Sequence, residues 1–259
     1  MNIFQKIMTP ADGSVWITGA SAGIGRAVAL EMAQRGWRVY ATARRSEPLE
    51  ALAAENGNIV PVPGDVTDLD DMHAAVARIT AEGPLALAIF NAGIYKPMRA
   101  QSFNAKDARQ TFDVNLTGVA NGLEPVLQHM IERQHGHIAL VASVAGYRGL
   151  PNAVAYSPTK AGLIAMAESL AMDLVDLGVR ISVINPGFVE TEATSVNDFD
   201  MPMLLQPDDA ARRIVDGLAK PGFEIRFPWQ FAAFLRLVGT LPNQAYIWTV
   251  RKALGWDKV

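Results

Sequence analysis

Thr18-Gly19-Ala20-Ser21-Ala22-Gly23-Ile24-Gly25 joins a short apolar strand, Ser14–Thr18, to an amphipathic helical pattern over Ile24–Arg35. Its glycines permit a tight turn because they tolerate positive φ, and their missing Cβ atoms let a ligand approach the backbone closely. The amides at the start of the helix carry partial positive charge, which suits a pyrophosphate. Since a second strand is predicted at Arg38–Thr42, the turn has the strand, helix and strand context of a dinucleotide-binding unit.

The end of that second strand, Ala43-Arg44-Arg45, indicates which dinucleotide is bound. A carboxylate here would accept hydrogen bonds from an adenosine ribose 2′-hydroxyl, whereas a cation would pair with a 2′-phosphate. The sequence offers two guanidinium groups and no acid, and a guanidinium can fork around phosphate oxygens. We therefore predict NADP(H) rather than NAD(H), with Arg44 at the phosphate. Either arginine could instead be an ordinary surface charge, and the sequence leaves open whether Arg45 assists.

Composition and charge exclude several classes of protein. The chain has 259 residues, half of them hydrophobic, and a net charge of −3. Without a broad basic field, we expect no nucleic-acid partner. The absence of cysteine excludes disulfides and thiolate metal sites and fits a reducing compartment. Charges interrupt every long apolar run and Met1–Asp12 lack the pattern of a signal peptide, so we predict a cytoplasmic protein without a transmembrane segment.

Strand and helix patterns alternate along the chain. Further strands are predicted at Asn58–Val62, Leu85–Phe90, His137–Ala142, Val179–Ile184 and Phe223–Phe227. Further helices are predicted at Glu47–Glu55, Asp68–Ala81, Asn104–Arg133 (with a bend at Pro125), Ala153–Leu177 and Pro207–Lys220. This alternation predicts an α/β fold, a doubly wound, Rossmann-type parallel sheet of about seven strands with helices on both faces. We assign residues 1–259 to this single domain.

The C-terminal residues 228–259 form an extension that is rich in aromatic side chains. Two short amphipathic helices, interrupted at Leu241-Pro242-Asn243, account for its pattern. We favour packing on the core or on a substrate pocket, with a dimer interface or peripheral membrane contact as alternatives. The weakly patterned segment Glu192–Gln206 is interpreted as a lid or, alternatively, as an irregular surface loop.

Several polar residues follow predicted strands, at the edge where parallel sheets bind ligands. Asp65, next to Val66, could accept a hydrogen bond from an adenine amino group. Asn91-Ala92-Gly93 leaves room for a flat ligand, although it also suits a simple turn, and Asn91 can bridge backbone groups of neighbouring strands. Asn115 is an amide on a helix predicted to be buried, so it either joins helix to strand or holds a water. The acidic run after Asp65 suits a helix start, and no metal site is implied.

Tyr156 and Lys160 are four residues apart on one helix face and can therefore meet the same ligand. For Tyr156 to act as a base near neutral pH, its pKa must fall from about 10 to roughly 7–8, a change of about 3–4 kcal/mol. One ammonium at about 4 Å provides on the order of 4 kcal/mol. We therefore expect Lys160, helped by an oxidised nicotinamide, to lower that pKa. Ser143 is neutral but can donate to a carbonyl oxygen on which charge develops.

Together these motifs resemble the short-chain dehydrogenase/reductase family, in its single-domain branch with a Thr-Gly-x-x-x-Gly-x-Gly signature. The match covers about residues 13–192 and includes Tyr156-x-x-x-Lys160. The resemblance implies that Tyr156 is the general acid/base and that Lys160 lowers its pKa and binds the nicotinamide ribose. It further implies that Ser143 orients the substrate oxygen and that Asn115 positions a water that relays protons to Lys160.

The resemblance also implies where the cofactor is held. It assigns the phosphates and ribose to Gly19, Ser21, Gly23, Ile24 and Gly25, the adenine to Asp65 and Val66, the cofactor lining to Asn91, Ala92 and Gly93, and the nicotinamide end to Pro186, Gly187, Val189 and Thr191. Two departures from the family pattern, at Ala22 and Phe90, remove no catalytic group.

We therefore predict an NADP(H)-dependent oxidoreductase that moves a hydride between the nicotinamide and a carbonyl or secondary alcohol. A small hydrophobic substrate is expected because of the aromatic C-terminus and the apolar residues near the expected mouth, namely Tyr95, Met98, Tyr147, Leu150, Phe188, Met201 and Met203. The alternative is a sensor or scaffold that binds NADP(H) without turnover. The resemblance also implies a homo-oligomer, either a dimer or a tetramer.

Overall fold

The structure is a computed structural model that describes residues 7–196 and 201–253. Within these residues, seven parallel strands form one sheet in the order β3-β2-β1-β4-β5-β6-β7. The strands are β1 (Ser14–Thr18), β2 (Val39–Thr42), β3 (Ile59–Pro61), β4 (Leu85–Phe90), β5 (Gly136–Val141), β6 (Val179–Pro186) and β7 (Glu224–Phe227). The predicted doubly wound parallel sheet is confirmed.

Helices cover both faces of the sheet. They are α1 (Gly23–Gln34), α2 (Ser46–Glu55), α3 (Leu69–Glu82), α4 (Ala105–Phe112), α5 (Gly118–Glu132), α6 (Tyr156–Leu174), α7 (Pro207–Leu218), α8 (Trp229–Gly239) and α9 (Asn243–Ala253). Apolar side chains of α1, α2 and α7 share one core with the sheet, and those of α3, α5 and α6 share the other. The central strands β1, β4, β5 and β6 are buried along their whole length, as strands covered on both faces must be.

The ligand-binding edge is set by the point where the strand order reverses. β1 pairs with β2 on one side and with β4 on the other, so the connections that follow β1 and β4 open a crevice at the carboxyl ends of the strands. The glycine turn after β1 approaches Asn91-Ala92-Gly93 there, since a Cβ on Gly19 would lie only 2.6 Å from Ala92 Cα.

Two helical predictions need correction. The region predicted as one helix over Asn104–Arg133 contains a π-helical turn at Asp113–Thr117 between α4 and α5. The sequence pattern did not show this irregularity. Pro125 lies inside α5, and a bend there stays a prediction. The helix predicted from Ala153 begins at Tyr156 because Ala153 forms an isolated bridge with Met98.

The C-terminal extension contains the two predicted short helices, α8 and α9, with the interruption at Leu241-Pro242. The last part of the extension, residues 254–259, lies outside the described residues. Residues 197–200 of the segment interpreted as a lid also lie outside them.

Replacing Gly25 with alanine is expected to destabilise the protein. The new Cβ would lie 2.2 Å from Gly19 O and 2.3 Å from Asn91 Nδ2, so α1 must shift away from β1 and β4. Overpacking of this kind costs about 1–3 kcal/mol in the free energy of unfolding, which urea denaturation measures. Gly57→Ala is the matched control because nothing lies within 4 Å of its Cβ position. Equal stabilities of the two variants would contradict the argument.

Candidate active site

A cavity of about 750 Å³ lies at the carboxyl edge of the sheet, within the range of about 300–1,000 Å³ that is typical of ligand sites. All predicted site residues except Asn115 line it: Gly19, Ser21, Gly23, Ile24, Gly25, Arg44, Asp65, Val66, Asn91, Ala92, Gly93, Ser143, Tyr156, Lys160, Pro186, Gly187, Val189 and Thr191. The fold therefore brings together residues that are widely separated along the chain.

The glycine turn forms one wall of the cavity and is suited to an anion. Gly19 and Gly23 adopt positive φ, at 69° and 53°. In the described part of the chain, no side chain caps the first turn of α1, whose N-cap residue is Ala22. The first amides of α1 therefore keep their hydrogen-bonding capacity for a ligand. This donor set fits the phosphates of a dinucleotide.

Asn91 fixes the spacing between the glycine turn and the end of β4. Its Nδ2 donates to Thr18 O and to Gly19 O, both at 3.1 Å. In return, Thr18 Oγ1 accepts from the amides of Asn91 and Ala92, again at 3.1 Å. Asn91 thus bridges the ends of neighbouring strands, as expected, because its side-chain amide donates to backbone carbonyls.

The end of the cavity beside β2 and β3 is lined by two arginines and an aspartate. Arg44 and Arg45 are both exposed and both line it, next to Ala43. Asp65 lines the same end, where its Oδ1 accepts from the Thr67 amide at 2.9 Å and from Thr67 Oγ1 at 2.8 Å. Two guanidinium groups at this end fit a phosphate monoester on the adenosine ribose.

Ser143, Tyr156 and Lys160 meet where β5 ends and α6 begins. The hydroxyl of Ser143 accepts from the Ala145 amide at 3.1 Å and donates to Pro186 O at 3.4 Å. Lys160 Nζ donates to Val141 O at 2.8 Å and lies 5.5 Å from the centre of the Tyr156 ring. Tyr95, which also lines the cavity, packs edge-on against Tyr156 with ring centres 5.0 Å apart.

Burial shifts the pKa values of both Tyr156 and Lys160. Burial raises the pKa of Tyr156 to about 12, and the hydrogen bond with Ser143 only partly opposes that rise. Burial also lowers the pKa of Lys160 to about 8. Burial is the largest cause of the rise at Tyr156, and the ammonium of Lys160 is directed at Val141 O. The expectation that Lys160, helped by an oxidised nicotinamide, lowers the pKa of Tyr156 stays a prediction.

Asn115 lies just behind the cavity rather than in its lining. It is fully buried in the π-helical turn, where its Oδ1 accepts from the Ile94 amide at 2.8 Å. Its Nδ2 donates to Ile94 O at 3.0 Å and to Thr159 Oγ1 at 3.1 Å. The side chain therefore joins the segment after β4 to α6, which was one of the two roles predicted for it. A role in proton relay stays a prediction.

The remaining wall of the cavity comes from the C-terminal helices. It is built by Phe231, Phe234, Leu235, Val238, Thr249, Val250 and Ala253. The preferred interpretation of the extension, packing against a substrate pocket, agrees with this position. The aromatic composition was the signal for it, but the sequence did not show which faces of α8 and α9 turn inward.

The residues expected at the mouth divide into two groups. Tyr95, Leu150 and Phe188 line the cavity, whereas Met98, Tyr147, Met201 and Met203 are not part of its lining. Met98 is buried against Ala108 and Ala155. The hydroxyl of Tyr147 donates to Glu224 Oε1 at 2.6 Å, which holds that ring behind the cavity.

Glu224 on β7 anchors α8, a role that no sequence motif indicated. Its carboxylate accepts from Tyr147, from Asn185 Nδ2 at 2.7 Å and from Arg226 at 2.8 Å, and it pairs with Arg236 of α8 at 2.8 Å. Its side chain is only 10% exposed. Burial alone would raise the pKa of Glu224, but these partners together hold it below the ordinary value of 4.5.

Replacing Glu224 with glutamine is expected to lower the free energy of unfolding by about 1–3 kcal/mol at neutral pH, the usual value of a charge-assisted hydrogen-bond partner. Because the folded-state pKa is below the unfolded value, this contribution is complete above about pH 4.5 and is lost as the pH falls further. Urea denaturation of both proteins at neutral pH and at about pH 3.5 tests the sign. A stability gap that widened in acid would contradict it.

Comparison with known proteins identifies the architecture and the family. The family model of short chain dehydrogenases matches residues 14–200. An uncharacterised oxidoreductase of Myxococcus xanthus is 41% identical over 235 residues, which cover 89% of this chain and 93% of the relative.

Two solved structures have the same fold. A variant of actinorhodin polyketide ketoreductase with NADPH superposes with a TM-score of 0.76 at 25% identity, covering 85% of this chain and 97% of the ketoreductase. A short-chain dehydrogenase/reductase from Burkholderia phymatum in complex with NAD has a TM-score of 0.79 at 26% identity, covering 89% and 94%. Both neighbours thus contain a nicotinamide cofactor, which is NADPH in one and NAD in the other. The chain belongs to the short-chain dehydrogenase/reductase family of oxidoreductases.

Proposed function

We propose that this protein is an NADP(H)-dependent oxidoreductase that transfers a hydride between the nicotinamide and the carbonyl or secondary alcohol of a small, apolar substrate. The observation that carries the proposal is the composition of the cavity. One end is lined by Ser143, Tyr156 and Lys160 and by an apolar wall from α8 and α9. Arg44 lines the other end. This arrangement fits a cofactor that extends from the arginine to the tyrosine, with the substrate under the C-terminal helices.

A bound reduced nicotinamide would supply the hydride, and the protein would supply the proton and hold the oxygen. With its pKa raised to about 12, Tyr156 keeps its proton at neutral pH and can donate it to a substrate oxygen. Ser143, which lines the cavity together with Tyr156, would donate to the same oxygen as negative charge develops there. In carbonyl reduction, Tyr156 would therefore enter the reaction with its proton in place.

Lys160 supports the tyrosine through position and charge. With a pKa of about 8 it is mostly protonated at neutral pH, and its ammonium is held at the base of the cavity by Val141 O. We infer that it binds the nicotinamide ribose and stabilises the phenolate that remains after proton transfer. Asn115 holds the backbone of Ile94 beside this lysine, since a Cβ on Gly93 would lie 3.5 Å from Lys160 Nζ and 3.4 Å from Asn115 Oδ1.

Replacing Tyr156 with phenylalanine is expected to reduce turnover by at least about 10²-fold, because the general acid is lost. The assay follows NADPH consumption with a panel of apolar ketones, aldehydes and diketones. Tyr40→Phe is the matched control, since it removes a hydroxyl that bonds Glu82 away from the cavity. Tight NADPH binding without turnover of any compound, in either direction, would instead favour a sensor or scaffold that only binds NADP(H).

Replacing Arg44 with alanine is expected to raise the KM for NADPH by about tenfold to a hundredfold, the value of a hydrogen bond to a charged group. The KM for NADH is expected to stay nearly constant, because NADH has no 2′-phosphate. Steady-state kinetics with both cofactors measures the ratio, and Arg45→Ala tests whether the adjacent guanidinium contributes. Equal losses with NADPH and NADH in Arg44→Ala would show that Arg44 does not recognise the phosphate.

A further inference from the structure

The outer faces of α8 and α9 expose large apolar side chains. Leu237 is 71% exposed, Trp229 65%, Trp248 63%, Ile247 56% and Phe234 47%. We call these five residues the C-terminal apolar surface. Trp229 and Leu237 are two helical turns apart and therefore belong to one stripe of α8. Contiguous exposed apolar groups of this size are typical of interaction or membrane sites rather than of ordinary surface.

The inner faces of the same helices are already occupied. Leu235 packs against the cavity wall, and Val238 packs with Tyr246 and Val250 where α8 meets α9. Packing within this chain buries Ala232, Leu235 and Val238 of α8 but leaves Trp229, Phe234 and Leu237 exposed. Helices that are apolar all round are buried or lie in lipid.

The charge of the two helices indicates what covers the outer side. Residues 228–253 contain no aspartate or glutamate, but they include Arg236, Arg251 and Lys252. Arg236 is neutralised by Glu224 of β7. Lys252 Nζ lies 4.9 Å from the centre of the Trp248 ring, so a cation is placed directly at the edge of the apolar surface. Tryptophan beside basic residues is the combination that suits an anionic lipid headgroup region.

A second copy of the chain fits this surface less well. A twofold contact would place the same patch on both partners, and so would bring the basic ends of the two α9 helices together without an acidic residue from either α8 or α9. Anionic lipid supplies the missing opposite charge.

The cavity opens beside the same surface. Phe234 belongs to the C-terminal apolar surface and also lines the cavity. Ala253 of α9 lines the cavity and is likewise exposed. The apolar wall of the cavity therefore continues onto the outside of the protein between α8 and α9.

We propose that the C-terminal apolar surface docks on membranes that contain anionic phospholipids, with the mouth of the cavity turned toward the lipid. Among the residues described, no helix has the length and apolar character needed to cross a bilayer, so this contact is peripheral. Entry of an apolar substrate from the lipid would follow, and only this consequence rests on the proposed function.

Sedimentation of the full chain with vesicles tests the proposal without any turnover. We expect binding to vesicles of equal parts phosphatidylcholine and phosphatidylglycerol, and weaker binding to phosphatidylcholine alone. The double variant Leu237→Gln with Trp248→Gln should bind at least about tenfold more weakly, since two large apolar groups are removed from the contact. Leu69→Gln, at an exposed leucine on α3, is the matched control and should bind like the wild type.

A second measurement needs no variant. Trp16 and Trp37 are buried in the core, whereas Trp229 and Trp248 are exposed, so brominated phospholipid in the vesicles should quench part of the tryptophan fluorescence. Absence of both sedimentation and quenching would overturn the proposal. Equal binding to the two vesicle types would contradict the assigned role of anionic lipid. A change of oligomeric state in the double variant, without vesicle binding by the wild type, would assign the surface to a second copy instead.

Discussion

The close contact between the glycine turn after β1 and the segment after β4 is the constraint on which the site depends. Across this contact Asn91 donates to Thr18 and Gly19, and the Ala92 amide also donates to Thr18, so the ends of two central strands are held at one spacing. The contact is possible only because Gly19 and Gly25 have no side chains. It leaves the first amides of α1 directed toward the crevice where the strand order reverses, and the cavity is built outward from there.

Burial, more than charge pairing, sets the electrostatics at the other end of the cavity. Loss of water raises the pKa of Tyr156 and lowers the pKa of Lys160, and each shift favours the neutral form of its group. The sequence argument weighed one Coulomb interaction against the change that catalysis would require, but it did not include the cost of removing water from the phenol. At neutral pH the result is a protonated tyrosine beside a mostly protonated lysine, which suits proton donation better than proton abstraction.

Local sequence patterns predicted the sheet and its helices, because strand periodicity and glycine turns are short-range properties. Most of the cavity lining was predicted by the family resemblance. The predictions failed where distant contacts decide the outcome. The start of α6 depends on the bridge between Ala153 and Met98, and the π-helical turn on the partners of Asn115. Glu224 gathers four partners from three parts of the chain, so no local pattern around it could have shown that it anchors α8.

The C-terminal helices illustrate why alternatives left open by a sequence need not exclude one another. The aromatic composition of residues 228–253 was compatible with packing on a pocket or with an external contact, and the structure provides for both on opposite faces. The residues proposed to carry the chemistry all precede Glu192, whereas the apolar wall and the exposed surface share α8 and α9. Because Arg236 ties α8 to Glu224 on β7, the inner face keeps its position independently of what the outer face contacts. Substitutions on the outer face can therefore change attachment while the reacting groups remain in place.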